Sequence, residues 1–252
     1  MSKPRLVLLA LAAAPALLLG ACKKGADGGG GGTAVAGAAG PVAPAPAGGW
    51  AAQVARTPEG GYRMGNPDAP VKLIEYGSRT CPHCAAFGTE GLPKLRDTYV
   101  STGKVSYEFR DYAIHAPDLA AILLGQCVAP EAFFGLLEQM FADQPAVVEK
   151  LQALPPGFEA QLQGKSANAQ AALWAQQLGY IGFVGQRGVP AAKAQACLAD
   201  TKAVDAFAKA QADGTQKYNI TGTPSFVLNG EPQASVYDWA SLEPRLKAAL
   251  GQ

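Results

Sequence analysis

Two cysteines separated by two residues stand directly after a short β-rich run, and this arrangement constrains the fold more than any other feature of the chain. Residues 71–76 read Val-Lys-Leu-Ile-Glu-Tyr between Pro70 and Gly77, which is typical of a strand. Cys81 and Cys84 follow, and apolar residues at helical spacing downstream predict that the pair opens a helix. A cysteine at the start of a helix meets free N–H groups and the positive end of the helix dipole, which favour its thiolate.

The spacing of the pair suits redox chemistry at sulfur. Cys81 is predicted to be the attacking and leaving sulfur, and Cys84, one turn further and more deeply packed, to resolve a mixed disulfide formed at Cys81. Pro82 suits the first helical position, where its missing N–H costs nothing. His83 faces solvent and can donate to, or carry charge beside, the Cys81 sulfur. Because a stabilised thiolate favours the reduced state, the disulfide form is expected to accept electrons readily.

The remaining pattern predicts an α/β fold. Alternating apolar residues over 105–110 predict a second strand, and helical stripes fill the next hundred residues. Residues 225–228 predict a strand, and Asn-Gly at 229–230 predicts a hairpin turn before a partner strand over 233–237. Residues 239–250 close the chain as a helix. The order of these elements indicates an α/β or mixed domain with an all-helical insertion.

These residues resemble the active site of thioredoxin-fold disulfide oxidoreductases of the DsbA type. Cys-Pro-His-Cys after a strand carries the resemblance, together with the Thr223–Pro224 step, which is similar to the cis-proline loop that lies beside the family's active-site disulfide. The resemblance covers about residues 57–252 and implies a thioredoxin fold with an inserted helical domain. It also implies that Glu75, six residues before Cys81, is a buried acid that tunes proton transfer. Thr223 and Pro224 would then present backbone to an extended substrate strand, with a cis bond between them.

The resemblance implies a thiol–disulfide oxidoreductase that needs no bound cofactor, because the two sulfurs store the electron pair. Its substrates would be secreted or periplasmic proteins that carry thiols or disulfides, and a membrane redox partner would recycle the site. Thr223 stands where the best-known oxidase has Val, and it resembles isomerase members instead. Oxidation of substrate dithiols is our interpretation, with isomerisation and reduction at the same site as alternatives.

Two other classes of protein compete with this interpretation. A metal-binding or metallochaperone lipoprotein could use the cysteine pair, but zinc normally takes four ligands and only one such pair exists. His83 lies between the cysteines, where it is a poor third ligand, and His115 is a lone histidine before Pro117. A tethered binding protein could instead use the pair as a structural disulfide. We predict no metal site.

The first 21 residues predict a lipoprotein signal peptide. Lys3 and Arg5 precede an apolar run over 6–19 that is too short to cross a bilayer as a mature helix. Leu-Gly-Ala before Cys22 resembles the lipobox of bacterial lipoproteins, in which the peptide is cut before the cysteine and that cysteine is acylated. Lys23, rather than Asp, follows the cysteine, which in lipoproteins of enteric bacteria favours sorting to the outer membrane. The alternative is an ordinary signal peptide with a chance cysteine.

The composition of the next segment predicts a tether. Gly, Ala and Pro make up 21 of the residues 25–49, so this stretch has almost no apolar side chains to bury. Lys and Arg number 21 against 20 Asp and Glu, which provides no basic field for nucleic acid. We expect a periplasmic protein attached to a membrane by its lipid. The predicted parts are a signal peptide (1–21), a flexible tether (22–56), a thioredoxin-fold domain (57–112 and 213–252) and a helical insertion (113–212).

The remaining cysteines, Cys127 and Cys197, are predicted to form a structural disulfide within the helical insertion. Both lie on apolar helical stripes and therefore face the inside of the same helical block. An oxidising compartment would not leave two buried thiols reduced at bonding distance. The alternative is two independent buried cysteines that act as small apolar residues.

Overall fold

A computed structural model describes residues 42–252, and six strands form one sheet in this part of the chain. The predicted signal peptide, Cys22 and the tether up to residue 41 lie outside the described residues. The strands are β1 (Val54–Arg56), β2 (Tyr62–Met64), β3 (Val71–Gly77), β4 (Val105–Asp111), β5 (Ser225–Leu228) and β6 (Glu231–Pro232). Their order is β1-β2-β4-β3-β5-β6; β3 and β4 run parallel, and the other neighbouring pairs are antiparallel.

A long helix crosses from β3 to β4, and we call residues 82–99 the crossover helix. It consists of α1 (Pro82–Ala86), a π-helical stretch (Phe87–Gly91), α2 (Leu92–Lys94) and a second π-helical stretch (Leu95–Tyr99), followed by a 3-10 turn (Val100–Thr102). Pro93 stands at the start of α2. Because proline has no N–H and its ring crowds the preceding turn, the helix continues past it only with locally widened turns.

The helices between β4 and β5 pack around a second hydrophobic cluster. They are α3 (Asp118–Gly125), α4 (Phe133–Ala142), α5 (Gln144–Gln152), α6 (Phe158–Leu162), α7 (Ala167–Gln177), α8 (Tyr180–Gly185), α9 (Ala191–Ala199) and α10 (Thr201–Tyr218), with a 3-10 turn at Pro130–Ala132; α11 (Trp239–Ala249) closes the chain. The helices bury their own apolar cluster, which includes Leu124, Leu136, Trp174, Leu178 and Val184. Within residues 42–252, no helix has both the length and the apolar composition to span a membrane.

The structure differs from the predicted tether at its C-terminal end. Val54 lies opposite Met64 and Arg56 lies opposite Tyr62, so β1 is an edge strand of the sheet. A 3-10 turn at Trp50–Ala52 precedes it. Composition concealed this strand, because its stability comes from backbone pairing with β2 and not from long apolar side chains of its own. At the other predicted boundary, α10 runs without a break across positions 212 and 213.

The predicted hairpin forms, but its second strand is shorter and earlier than expected. Leu228 pairs with Glu231, and β6 ends at Pro232 instead of covering 233–237. Asn229 and Gly230 both have positive φ, 50° and 88°, which is the geometry of a two-residue turn. Such a turn places its partner strand at the very next residue, so the strand begins at position 231.

Candidate active site

Cys81 is the N-cap residue of the crossover helix. β3 ends at Gly77, a short turn follows, and Cys81 has extended backbone angles, φ −79° and ψ 123°, before Pro82 opens α1. Cys81 and Cys84 are both free thiols; Cys81 is 3% exposed and Cys84 is fully buried. The sequence placed the pair correctly at the junction of strand and helix.

The surroundings of Cys81 favour its thiolate. A hydrogen bond from the Cys84 side chain is the largest effect, and it lowers the pKa of Cys81 to about 5 although burial acts in the opposite direction. The Thr223 side chain and the backbone N–H groups of Cys84 and His83 add hydrogen bonds of the same sign. These are the unpaired N–H groups that any helix leaves at its first turn.

Cys84 has the opposite electrostatic character. Burial is the main cause that raises the pKa of Cys84 well above its ordinary value, and the hydrogen bond with Cys81 and the charge of Glu75 raise it further. At neutral pH the site therefore holds a thiolate at Cys81 and a protonated thiol at Cys84. This asymmetry is what a nucleophile and a resolving cysteine require.

Glu75 lies on β3 beneath the cysteine pair and is 1% exposed. The Tyr107 hydroxyl donates to Glu75 Oε2 at 2.6 Å, while Oε1 has no hydrogen-bond partner within the described residues. Burial raises the pKa of Glu75 to about 8; the Tyr107 hydrogen bond opposes this and the charge of Cys81 adds to it. A carboxyl group of this kind can carry a proton at neutral pH and exchange it with Cys84.

The Thr223–Pro224 bond is cis, as the sequence predicted. In the thiol form, Cys81 Sγ donates to the backbone carbonyl oxygen of Thr223 at 3.3 Å. The Thr223 hydroxyl is buried and meets no other hydrogen-bond partner within residues 42–252, so the Cys81 thiolate is the group to which it can donate. The segment that the sequence singled out therefore lies directly against Cys81.

His83 and Pro82 are exposed on the first turn of α1. His83 contributes to the Cys81 thiolate through its backbone N–H, and no side-chain hydrogen bond joins its ring to Cys81 within residues 42–252. Hydrogen bonds from Ser241 are the main cause that lowers the pKa of Asp238, and the charge of His83 adds to this effect. The imidazole therefore lies near the N-terminus of α11.

The turn that leads into Cys81 holds residues whose role the sequence did not reveal. Arg79 is buried in this turn, and its guanidinium pairs with Asp111 at the end of β4, with Nε to Oδ1 at 2.7 Å. Gln144, the first residue of α5, donates to the backbone oxygens of both Arg79 and Cys81, at 3.3 and 3.1 Å. The available signal was weak, because Ser-Arg-Thr before a cysteine reads as an ordinary polar loop.

Cys127 and Cys197 are joined in the structure with an S–S distance of 1.96 Å and a Cα–Cα distance of 6.1 Å. They link the residues after α3 to α9, within the helical insertion. His115 contacts Thr80 and neither cysteine of the active pair, with Nδ1 2.8 Å from the Thr80 hydroxyl. Among residues 42–252, no three His, Cys, Asp or Glu side chains are grouped so that they could hold a metal ion.

Comparison with known proteins places these features in a family context. A family model described as thioredoxin matches residues 57–248. A Rickettsia bellii protein named "Putative protein-disulfide oxidoreductase" is 29% identical over 190 residues, which cover 74% of this chain and 63% of that protein. The chain therefore spans less than two thirds of the length of this relative.

Two solved structures share the fold. A protein-disulfide isomerase from Novosphingobium aromaticivorans superposes with a TM-score of 0.73 at 28% identity, covering 76% of this chain and 98% of that one. Wolbachia pipientis alpha-DsbA1 superposes with a TM-score of 0.55 at 22% identity, covering 75% and 90%. The predicted thioredoxin fold with a helical insertion, and the resemblance to DsbA-type proteins, are confirmed.

Proposed function

Because the chain belongs to the thioredoxin family, we propose that it is an enzyme, a thiol–disulfide oxidoreductase that oxidises substrate dithiols through a Cys81–Cys84 disulfide. The observation that carries this proposal is the contrast between the two thiols of the pair. The pKa of Cys81 is lowered to about 5, while that of Cys84 is raised. A stable thiolate favours the reduced site, so its disulfide tends to take electrons from substrates.

The reaction runs in two exchanges at sulfur. A substrate thiolate attacks Cys81 Sγ of the disulfide, the Cys81–Cys84 bond breaks, and Cys84 leaves and takes up a proton, for which Glu75 is the adjacent donor. The second substrate thiol, once deprotonated, attacks the substrate sulfur of the mixed disulfide, and Cys81 leaves as a thiolate. Two electrons have then passed from the substrate to the site, and the substrate holds a new disulfide.

The Thr223 backbone supports the positioning of substrate. Its carbonyl oxygen already accepts from Cys81 Sγ, so it lies where an extended chain bound through its cysteine would pass. An extended chain offers N–H and C=O groups that pair with exposed backbone, as in other strand-addition complexes. Recognition through backbone suits an enzyme with many protein substrates.

Isomerisation is the second candidate, and a specific observation favours it. The Novosphingobium structure described as a protein-disulfide isomerase has the higher TM-score of the two solved structures compared above, and it is 28% identical to this chain. As an isomerase, this protein would use the same Cys81 thiolate to attack an incorrectly paired disulfide in a substrate. The two activities differ in whether the site is held oxidised or reduced by its partner.

The reduction potential of the Cys81–Cys84 couple distinguishes these activities. We expect a value nearer to that of the strong oxidant DsbA, about −120 mV, than to that of thioredoxin, about −270 mV. The oxidised domain should convert a reduced dithiol peptide to its disulfide, and Cys81→Ser should abolish this. Cys84→Ser, mixed with a peptide disulfide instead, should accumulate the mixed disulfide that the Cys81 thiolate forms by displacing one peptide thiolate. A potential near the thioredoxin value, with rapid reduction of substrate disulfides, would contradict the oxidase assignment.

We further propose that the protein works outside the cytoplasm on a lipid anchor. The support comes from the signal-like first 21 residues, the lipobox at Cys22 and the Gly-rich stretch after it. A tethered domain could then reach secreted clients and a membrane redox partner that recycles the site. Cys22→Ala should abolish incorporation of labelled fatty acid and release the protein from membranes; unchanged labelling would exclude Cys22 as the acylated residue.

A further inference from the structure

A buried carboxylate lies behind the turn that ends in Cys81. Asp118, the first residue of α3, is fully buried, and within residues 42–252 it has no ion-pair partner. A charge in this setting is costly unless several hydrogen bonds replace its water. Its Oδ1 accepts from the Ser78 hydroxyl at 2.9 Å and from the Thr80 N–H and hydroxyl at 3.1 and 3.0 Å.

The second oxygen of the same carboxylate binds the loop before α3. Oδ2 accepts from the backbone N–H groups of Ile114 and His115 at 2.8 and 2.9 Å, and from the Ser78 hydroxyl at 3.0 Å. Asp118 therefore joins two segments that are far apart in sequence. One is the loop that enters the helical insertion, and the other is the turn over residues 78–81.

The turn has little freedom left once these bonds are made. The Cys81 N–H donates to the Ser78 carbonyl oxygen at 3.3 Å, and the Thr80 N–H also donates to the Ser78 hydroxyl at 3.1 Å. Thr80 Oγ1 lies 2.8 Å from His115 Nδ1, so its hydroxyl is held from two directions. Each of these bonds lies within three residues of the nucleophile.

We propose that Asp118 is a positioning residue for Cys81, which fixes the turn 78–81 and thereby holds Sγ against the Thr223 carbonyl and the N–H groups that open α1. The inference rests on the proposed function, since it assigns a second role within the same site. Asp118 belongs to the helical insertion, so this insertion sets the geometry of the thiolate through one side chain. Substitutions at Asp118 should alter the chemistry of Cys81 without touching its sulfur.

Asp118→Asn is the decisive variant, because the amide has one acceptor oxygen and one donor NH2 group, whereas the carboxylate has two acceptor oxygens. The N–H groups of Ile114 and His115 cannot become acceptors, whereas the Ser78 and Thr80 hydroxyls can rotate. The amide nitrogen should therefore face the turn, and the Thr80 N–H loses its Asp118 acceptor. We expect the pKa of Cys81 to rise, alkylation of its thiolate below neutral pH to slow about tenfold, and the potential to fall by about 30 mV for that tenfold change.

The sign of the effect separates positioning from simple electrostatics. Loss of a nearby negative charge would stabilise the Cys81 thiolate, so a lowered or unchanged pKa of Cys81 in Asp118→Asn would overturn the proposal. Asp200→Asn is the matched control. Asp200 is the N-cap residue of α10 in the insertion and, like Asp118, accepts from backbone N–H groups, but it is exposed and has no hydrogen bond to the turn 78–81.

Thr80→Val tests the same contact without a change at Asp118. It should raise the pKa of Cys81 by a smaller amount, and a lowered or unchanged pKa would overturn the proposal even if Asp118→Asn does not fold. Where both variants fold, the double variant should change the pKa less than the sum of the two single variants. Additive effects would contradict a shared contact. Titration of the Cys81 thiolate needs no turnover, so it tests the two proposals separately. An ordinary pKa of Cys81 in the wild-type protein would contradict the proposed function. A lowered pKa of Cys81 that stays the same in Asp118→Asn would contradict only this inference.

Discussion

Burial acts on three ionisable groups of the site with different outcomes. It raises the pKa of Glu75 to about 8 and that of Cys84 well above its ordinary value, but at Cys81 hydrogen bonds exceed it and the pKa falls to about 5. The difference lies in the hydrogen bonds that each group receives: the Cys84 side chain donates to the Cys81 thiolate, and the Thr223 side chain and the N–H groups of Cys84 and His83 add to this. The donors around each buried group thus decide the sign of its pKa shift.

The pH dependence of the reduction potential should show this thiolate directly. Above about pH 5, reduction of the pair takes up one proton for two electrons, so the potential should fall by about 30 mV per pH unit. Below that pH, Cys81 takes up a second proton and the slope should double. Thr223→Val should move the break to higher pH, because it removes a donor to the thiolate. A single steep slope through neutral pH would mean that Cys81 is an ordinary thiol.

Glu75→Gln should stabilise the protein in a pH-dependent way. The pKa of Glu75 is raised in the folded protein from 4.5 to about 8, so its favourable contribution is complete below 4.5 and is lost as the pH rises through 8. Gln stays neutral and can still accept from Tyr107. The variant should match the wild type in acid and exceed its free energy of unfolding by up to about 5 kcal/mol in mild alkali.

Denaturant unfolding at a series of pH values measures this difference, with Glu90→Gln on the exposed face of the crossover helix as the control. The same Glu75→Gln protein should resolve mixed disulfides more slowly, because the proton donor beside Cys84 is gone. A stability difference that does not change with pH would show that folding does not raise the pKa of Glu75.

At the scale of elements, the sequence predicted what local patterns determine. The strand over 71–77, the helix that opens at Cys81 and the helices of the insertion follow from periodicity and from the placement of proline and glycine. Edge strand β1 could not be predicted in this way, because its own side chains show no strand pattern and it is recognised only by its backbone pairing with β2. The Glu75–Tyr107 hydrogen bond also depends on pairing, since these residues meet only in the parallel register of β3 and β4.

The packing of α10 on the sheet is another feature that no local pattern shows. Gly214 lies in the C-terminal half of α10, and a Cβ there would come within 2.5 Å of the Tyr76 ring on β3. Gly214→Ala should therefore destabilise the protein by about 1–3 kcal/mol through overpacking. Gly182→Ala on α8 is the matched control, because nothing lies within 4 Å of its Cβ and alanine should stabilise that helix by up to about 1 kcal/mol.

Urea unfolding of the two glycine variants measures the contrast. A neutral or stabilising effect of Gly214→Ala would mean that α10 does not press on the sheet. The side chains that the sequence could predict to be buried thus include Tyr76, but the close approach that requires a glycine opposite it could not be predicted. Tyr76 and Gly214 are 138 positions apart in the chain, and only the complete fold brings them together.

At the scale of the whole molecule, buried polar contacts tie the insertion to the sheet. The Arg79–Asp111 pair has side-chain exposures of 0% and 3%, and Gln126 at the end of α3 donates to Asp111 Oδ2 at 2.8 Å. Such pairs are costly to break from one side, because the remaining charge is left buried and unpaired. The sequence showed charged residues in a polar loop, and their burial emerges only when the sheet and the insertion pack together.

The second disulfide should stabilise the insertion without changing the redox centre. Cys127 and Cys197 are separated by 70 residues, so in the chain-entropy model their bond contributes roughly 4 kcal/mol. A variant with both cysteines changed to alanine should lose up to that amount in urea unfolding and keep the potential of the Cys81–Cys84 couple. After selective reduction of the active pair, the unfolded domain should show two free thiols, since the bond within the insertion persists. Four free thiols, or equal stability of the double variant, would show that the two cysteines do not hold the helices together.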